Sequence, residues 1–238
     1  SLVLDLQQEV LKPDCDILNA LRRAHLIATK LKLSEFDSWI MCELTGYDDN
    51  QENVPDYRKV TGQLKAWNPR HGWIPVVIPY PEIEKAICIR EMGNSISDIL
   101  ELRNTSGDTI LMNYSGEAEK TINSICTAPF PTNFTLHISK HLLKSIIDKV
   151  GNCLLEWTIR LEAEGILGED MRFSQEETNM AKEIPQQINN YYGTVVNGDV
   201  SQSQVVSGDH NSIAFNYGQA SDLMKKVRDS IGQEQLSD

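Results

Sequence analysis

Gly62-Gln63-Leu64-Lys65-Ala66-Trp67-Asn68-Pro69-Arg70-His71-Gly72-Trp73-Ile74-Pro75-Val76 is the stretch that decides the fold. Up to the turn, Val60, Gly62, Leu64 and Ala66 alternate with Thr61, Gln63, Lys65 and Trp67, the two-residue period of a strand. Asn68 to Gly72 supplies turn chemistry, and Trp73 to Ile78 reads as the returning strand. Pro75 has no N–H to give to a ladder, which places that strand at a sheet edge. Residues 58–78 are therefore predicted to form a β-hairpin.

On either side the period changes to that of helices. Leu2, Val3, Leu6, Val10 and Leu11 share a face, and Ile17, Leu21, Ala24, Ala28 and Leu31 form a second stripe opening after Asp14 or Asp16. Ser34 with Asp37 resembles a capping box for a helix ending at Gly46. Further helices are predicted over Pro81–Met92, Ser95–Asn104 and Ser115–Cys126, with a short strand at Thr109–Met112. Phe134, Leu136 and Ile138 alternate with Thr135 and His137 as a strand. Ser139 then opens the longest helix, striped by Leu142, Leu143, Ile146, Ile147, Val150, Leu154, Trp157 and Leu161 and closed by Gly165. Ser174 and Glu177 form a capping box for a last helix before Pro185. The expected class is α+β: a predominantly helical N-terminal domain over 1–185 with a small β-hairpin and sheet.

Residues 186–218 differ in kind, being rich in Asn, Gly and Val. No Lys or Arg lies between Lys182 and Lys225, and Val195-Val196-Asn197-Gly198-Asp199 is echoed ten residues on by Val205-Val206-Ser207-Gly208-Asp209. Valine pairs followed by Gly-Asp turns predict short strands of a β-solenoid-like repeat, against the alternative of a disordered polar tail. So few copies cannot bury an apolar face alone. Self-assembly into a homo-oligomer through 188–218 is therefore expected, on Val195, Val196, Val205, Val206 and Ile213. Residues 219–238 read as a C-terminal helix and tail.

The whole chain has 238 residues and a net charge of −12, from 34 Asp and Glu against 22 Lys and Arg. Such a balance argues against wrapping nucleic acid by bulk charge but leaves room for a local basic patch. No apolar run reaches the roughly 20 residues of a membrane span, and the opening residues lack the pattern of a signal peptide. The five cysteines (Cys15, Cys42, Cys88, Cys126, Cys153) are scattered and odd in number, the usage of a reducing cytoplasm.

Motifs for chemistry are few. There is no P-loop, G-x-G-x-x-G, G-x-S-x-G or H-E-x-x-H. His137 and His141 lack further soft ligands for zinc, and the Asp48–Asn53 loop lacks the glycine and late glutamate of an EF-hand. No metal or other cofactor is expected. A metal nuclease would follow Asp56 with an acid-x-Lys strand, yet no acid occurs from Tyr57 through Pro81. That same stretch carries Arg58, Lys59, Lys65 and Arg70 among Tyr57, Trp67, Trp73 and Tyr80. Cations interleaved with aromatics suit base stacking and phosphate neutralisation. The candidate binding surface is thus Arg58, Lys59, Lys65, Trp67, Asn68, Arg70, His71 and Trp73, with no catalytic residue assigned. The competing reading buries the tryptophans in the core and leaves the cations outside against acidic helices.

Val54-Pro55-Asp56-Tyr57-Arg58 and the run Gly62 to Val76, with its Trp-Asn-Pro…Gly-Trp-x-Pro core, resemble the central signature of the AbiTii domain of bacterial conflict systems. Leu2 to Gln7 and Trp39 to Tyr47 are similar to its N-terminal part; Leu136 to Ser139 and Gly165 through Phe173 are similar to its C-terminal part. The resemblance covers about 1–185 and implies a role in abortive-infection phage defence, with no catalytic residues to carry over. The expectation is a non-enzymatic sensor or effector, triggered by a phage-derived protein or nucleic acid, that self-assembles through its C-terminal repeat. The alternatives are a nucleic-acid-binding sensor using 58–78, and a hydrolase drawing on His71, His137 or Asp56.

Overall fold

The computed structural model describes residues 1–47, 54–78, 80–114, 116–126, 132–186 and 188. In chain order the elements are α1 (Leu2–Val10), α2 (Ile17–Leu31), α3 (Ser34–Thr45), a 3₁₀ turn (Asp56–Arg58), β1 (Lys59–Thr61), β2 (Gln63–Asn68), β3 (Gly72–Pro75), α4 (Pro81–Cys88), β4 (Ile89–Glu91), α5 (Ile96–Asn104), β5 (Thr109–Asn113), α6 (Gly116–Cys126), β6 (Phe134–Ser139), α7 (Lys140–Ala163) and α8 (Gln175–Ala181). This is a mixed α+β chain, and β1 pairs with β4 in a two-stranded sheet. The proposed solenoid and the C-terminal helix lie outside the described residues. The span read as one domain contains two compact units.

One unit, built from residues 1–59, 91–108 and the described residues of 140–188, has helices as its regular elements apart from single strand residues at its ends. Helix α7 is its spine: Leu143, Ile146, Val150, Cys153, Leu154, Trp157 and Leu161 are buried, while the expected stripe members Leu142 and Ile147 are only half-buried. Helices α1 and α2 pack against α7, and α3 packs against α2. The Trp157 indole stacks on Phe36 with ring centres 4.3 Å apart. Burying each such side chain is worth about 1.5–3 kcal/mol. At the end of this unit the Glu177 carboxylate accepts from the backbone N–H groups of Leu167 (3.0 Å), Gly168 (3.0 Å) and Ser174 (2.7 Å). Burial pushes its pKa up, but these donors outweigh burial and hold it below the ordinary carboxylate value. The predicted capping box of α8 is thus in place.

The other unit, over 60–90 and 109–139, carries an antiparallel four-stranded sheet in the order β3-β2-β6-β5. The hairpin forms as expected, with β3 and Pro75 at the edge. Leu64, Ala66, Phe134, Leu136 and Ile138 are buried on one face of the sheet, and α4 packs against β2.

Three local expectations are corrected. The first hairpin strand is divided at Gly62, where an added Cβ would lie 2.5 Å from Leu136 Cγ; β1 and β2 flank it. The helix expected to run to Met92 ends at Cys88. Ile89–Glu91 instead forms β4, because β1 offers these residues a ladder, seen in Gly62 N–H donating to Cys88 O at 2.8 Å. Ser34 is the first residue of α3 and not its cap; Leu33 precedes it with no side-chain bond, and Asp37 Oδ1 lies 2.7 Å from His25 Nδ1 on α2.

Candidate functional site

Along β2, Gln63, Lys65 and Trp67 point to the face opposite the buried Leu64 and Ala66. The register fixes their neighbours. Trp67 faces Trp73, Lys65 faces Pro75 on one side and Thr135 on the other, and Gln63 faces His137, which in turn faces Leu111. Alternation therefore gathers Gln63, Lys65, Trp67, Trp73, Thr135, His137 and Leu111 on one outer face. Trp67 is 45% exposed and Leu111 54%. Large apolar groups held at water on the same face mark a contact surface more readily than scattered ones do.

Three rings form a stripe across this face. Trp67 and Trp73 meet edge to face with centres 5.3 Å apart, and Trp73 reaches over β2 to meet His137 at 5.9 Å. Thr135, on the same face, is buried and donates to Asn113 Oδ1 at 3.1 Å. The His137 Nε2 atom is buried with no hydrogen-bond partner among the described residues. Burial, and then the charge of Lys65, lowers the His137 pKa from its ordinary value. Because that nitrogen is enclosed, His137 contributes to the face through its ring and not through a free polar atom.

Electrostatics single out the same sheet. Not one Asp or Glu occurs in β2, β3, β5 or β6, in a chain that has 34 of them. Residues 60–90 and 109–139 together hold five Lys and Arg against four Asp and Glu, and all four acids (Glu82, Glu84, Glu117, Glu119) sit on α4 and α6. Lys85 and Lys120 are paired with Glu82 and Glu117 on their own helices. Lys65 and Arg70 have no acidic partner among the described residues.

The other sequence-predicted residues fall elsewhere or serve the turn. Asn68 Oδ1 accepts from the N–H groups of Arg70 (2.9 Å) and His71 (3.2 Å), a side-chain-closed turn that leaves both of those side chains exposed. Lys59 belongs to the helical unit, where it is tied to Asp56 at 2.7 Å and lies 3.8 Å from Glu91. Asp56 belongs to that unit too, whereas His71 and His137 belong to the other. Val195, Val196, Val205, Val206 and Ile213 lie outside the described residues.

Arg58 requires a correction, because it is no surface residue. Both it and Glu43 are fully buried as an ion pair in the helical unit. Arg58 Nε donates to Glu43 Oε1 at 3.0 Å, Nη2 donates to Oε2, and Nη1 donates to the carbonyls of Met92 and Asn94, each at 2.7 Å. Tyr47 and Tyr57 add their hydroxyls to Glu43 Oε1 at 2.6 and 2.5 Å, and Trp39 Nε1 donates to the Tyr57 oxygen at 2.9 Å. Burial first, then the Glu43 charge, pushes both tyrosine pKa values far above their ordinary range. A charge pair this enclosed ties α3 to the segments around Arg58 and Met92–Asn94. It cannot meet a large partner. His137, Gln63 and Leu111 are the face residues that the hairpin reading missed; the alternation of Thr135 and His137 along β6 was the signal that could have found the first.

The fold and this face define an α+β protein with a helical unit and a smaller unit that presents an acid-free, aromatic sheet face. The chain belongs to the AbiTii family, whose model matches residues 1–186. No curated protein and no solved structure matches it. Among the described residues, no helix is long and apolar enough to cross a membrane.

Proposed function

We propose that this chain is a non-enzymatic sensor or effector of bacterial abortive-infection defence against phage, and that the outer face of its four-stranded sheet is the recognition surface. Membership of the AbiTii family supports the biological role, since the family name points to abortive infection. The observation that carries the surface is the absence of any acid from the four strands beside Lys65 and Arg70, which have no acidic partner among the described residues. In a chain of net charge −12, such a patch favours an anionic partner. Residues 188–218 join copies of the chain in this reading, because their valine pairs recur without Lys or Arg to oppose edge pairing. The cytoplasm fits the five free thiols.

The test is phage plating on cells that express Lys65→Glu/Arg70→Glu at the wild-type soluble level. Both positions lie outside the core, so the melting temperature should stay within a few degrees while protection is lost. Protection equal to wild type would remove this face from the mechanism.

A further inference from the structure

We infer that the outer sheet face binds single-stranded nucleic acid, stacking bases on Trp67 and Trp73 and setting phosphates against Lys65 and Arg70. This rests on the reading of that face as the recognition surface and goes further by fixing the partner's chemistry.

An anionic partner could be a protein, a duplex or a single strand, and the rings decide among them. The Trp67 indole is 45% exposed and continues through Trp73 to His137, so the face offers π surface across neighbouring strands. Only unpaired bases can lie on such rings, whereas a duplex keeps its base faces stacked inside. Sheets bearing aromatics in this way stack two or three bases. His137 closes the ring stripe, its Nε2 enclosed and out of a base's reach, so what it adds to the face is ring surface. Its neighbours on the face, Gln63 and Leu111, bring no acid that would repel a phosphate.

The charge inventory gives the same answer in numbers. Two unpaired cations can neutralise about two phosphates, which for a single strand gives a slope of log affinity against log salt of roughly −1.4. A duplex binder of six to ten contacts would show a slope of about −5 to −9. With so few ionic contacts, stacking has to supply much of the affinity, and it is tolerant of base identity. Acids on the remainder of the chain are screened beyond a Debye length of about 8 Å at physiological salt.

The experiment uses the full chain and four labelled probes: single-stranded DNA and single-stranded RNA of about 12 nucleotides, a size within usual single-strand sites, the matching DNA duplex, and inorganic polyphosphate, which has phosphates but no bases. Binding is read by anisotropy and by quenching of tryptophan fluorescence. One or both single strands should bind more tightly than duplex and polyphosphate, with quenching and a salt slope near −1.4. Trp67→Ala should weaken that binding roughly 5- to 150-fold, the worth of one stacked base. The DNA and RNA arms identify which strand is preferred. Absence of single-strand binding, equal binding of polyphosphate, or an unchanged affinity in Trp67→Ala each overturns the inference. If single strands fail while Lys65→Glu/Arg70→Glu still abolishes protection, the nucleic-acid partner falls and the recognition surface stands; if the charge-reversed chain also protects fully, both fall.

Discussion

Arg58→Met should unfold the chain far more easily than its place in a basic stretch of sequence implies. The substitution keeps much of the side-chain volume but deletes four hydrogen bonds, two to Glu43 and one each to the carbonyls of Met92 and Asn94. Glu43 is left fully buried, with the hydroxyls of Tyr47 and Tyr57 as its remaining donors. Breaking a buried pair from one side costs about 3–5 kcal/mol, since the surviving charge keeps its desolvation penalty and loses its counterion. Against a total stability of about 5–15 kcal/mol, that is about a fifth of it or more. For a chain of this size the melting temperature should fall by roughly 6–20 °C. Arg58→Lys should lie between wild type and Arg58→Met, because an ammonium keeps the charge but cannot span two carboxylate oxygens and two carbonyls as the guanidinium fork does. The assay is urea unfolding of Arg58→Met, Glu43→Gln and the double variant. Coupling through the shared pair should make the double variant less unstable than the two single losses added together. A loss in Arg58→Met within about 0.5 kcal/mol of zero, the size of an ordinary surface change, would refute this reasoning, as would strict additivity.

Gly62→Ala should cost about 1–3 kcal/mol by overpacking, since its Cβ would meet Leu136 Cγ at 2.5 Å and Ile138 Cγ1 at 3.0 Å; an unchanged urea midpoint would mean that β6 yields freely. The His137 imidazole should titrate below 6.5 in an NMR experiment, and Lys65→Met should move the midpoint upward. Because the folded pKa is lowered, the unfolded chain binds more protons just below that value, so the His137 contribution to stability is complete above about pH 6.5 and declines as pH falls towards the folded midpoint. His137→Gln should flatten that part of the stability profile, and a midpoint above 6.5 would contradict the burial of the ring.

The hairpin was legible because its signals are local. Asn68, Pro69 and Gly72 act within a few residues of one another, and Pro75 names its own edge position without reference to other strands. Strand β4 was not legible, since Arg90 continues the Ile83, Ala86, Ile87 spacing of the α4 face, and only the partner strand β1 turns Ile89–Glu91 to extended backbone. The Arg58–Glu43 pair escaped for a related reason. Fifteen residues and a loop separate the two, and nothing in the charge pattern tells an enclosed arginine from the exposed Arg70 twelve residues later. The shortage of acids was visible in the hairpin, yet its extension over β5 and β6 becomes meaningful only when the register sets those strands beside β2. The aromatic face was half legible in the same sense. Trp67 and Trp73 stood out in the sequence, while His137 joined them only through the pairing of β6 with β2.

The most direct measurement of the recognition surface is the plating efficiency of phage on cells carrying Trp67→Ser, beside cells carrying Val77→Ser at equal soluble level. Both positions are exposed and apolar, at 45% and 87%, but Trp67 is a β2 residue within the ring stripe, whereas Val77 lies beyond the end of β3. Lost protection in Trp67→Ser with full protection in Val77→Ser is the predicted result. Full protection in both, with Trp67→Ser melting like wild type, would contradict it.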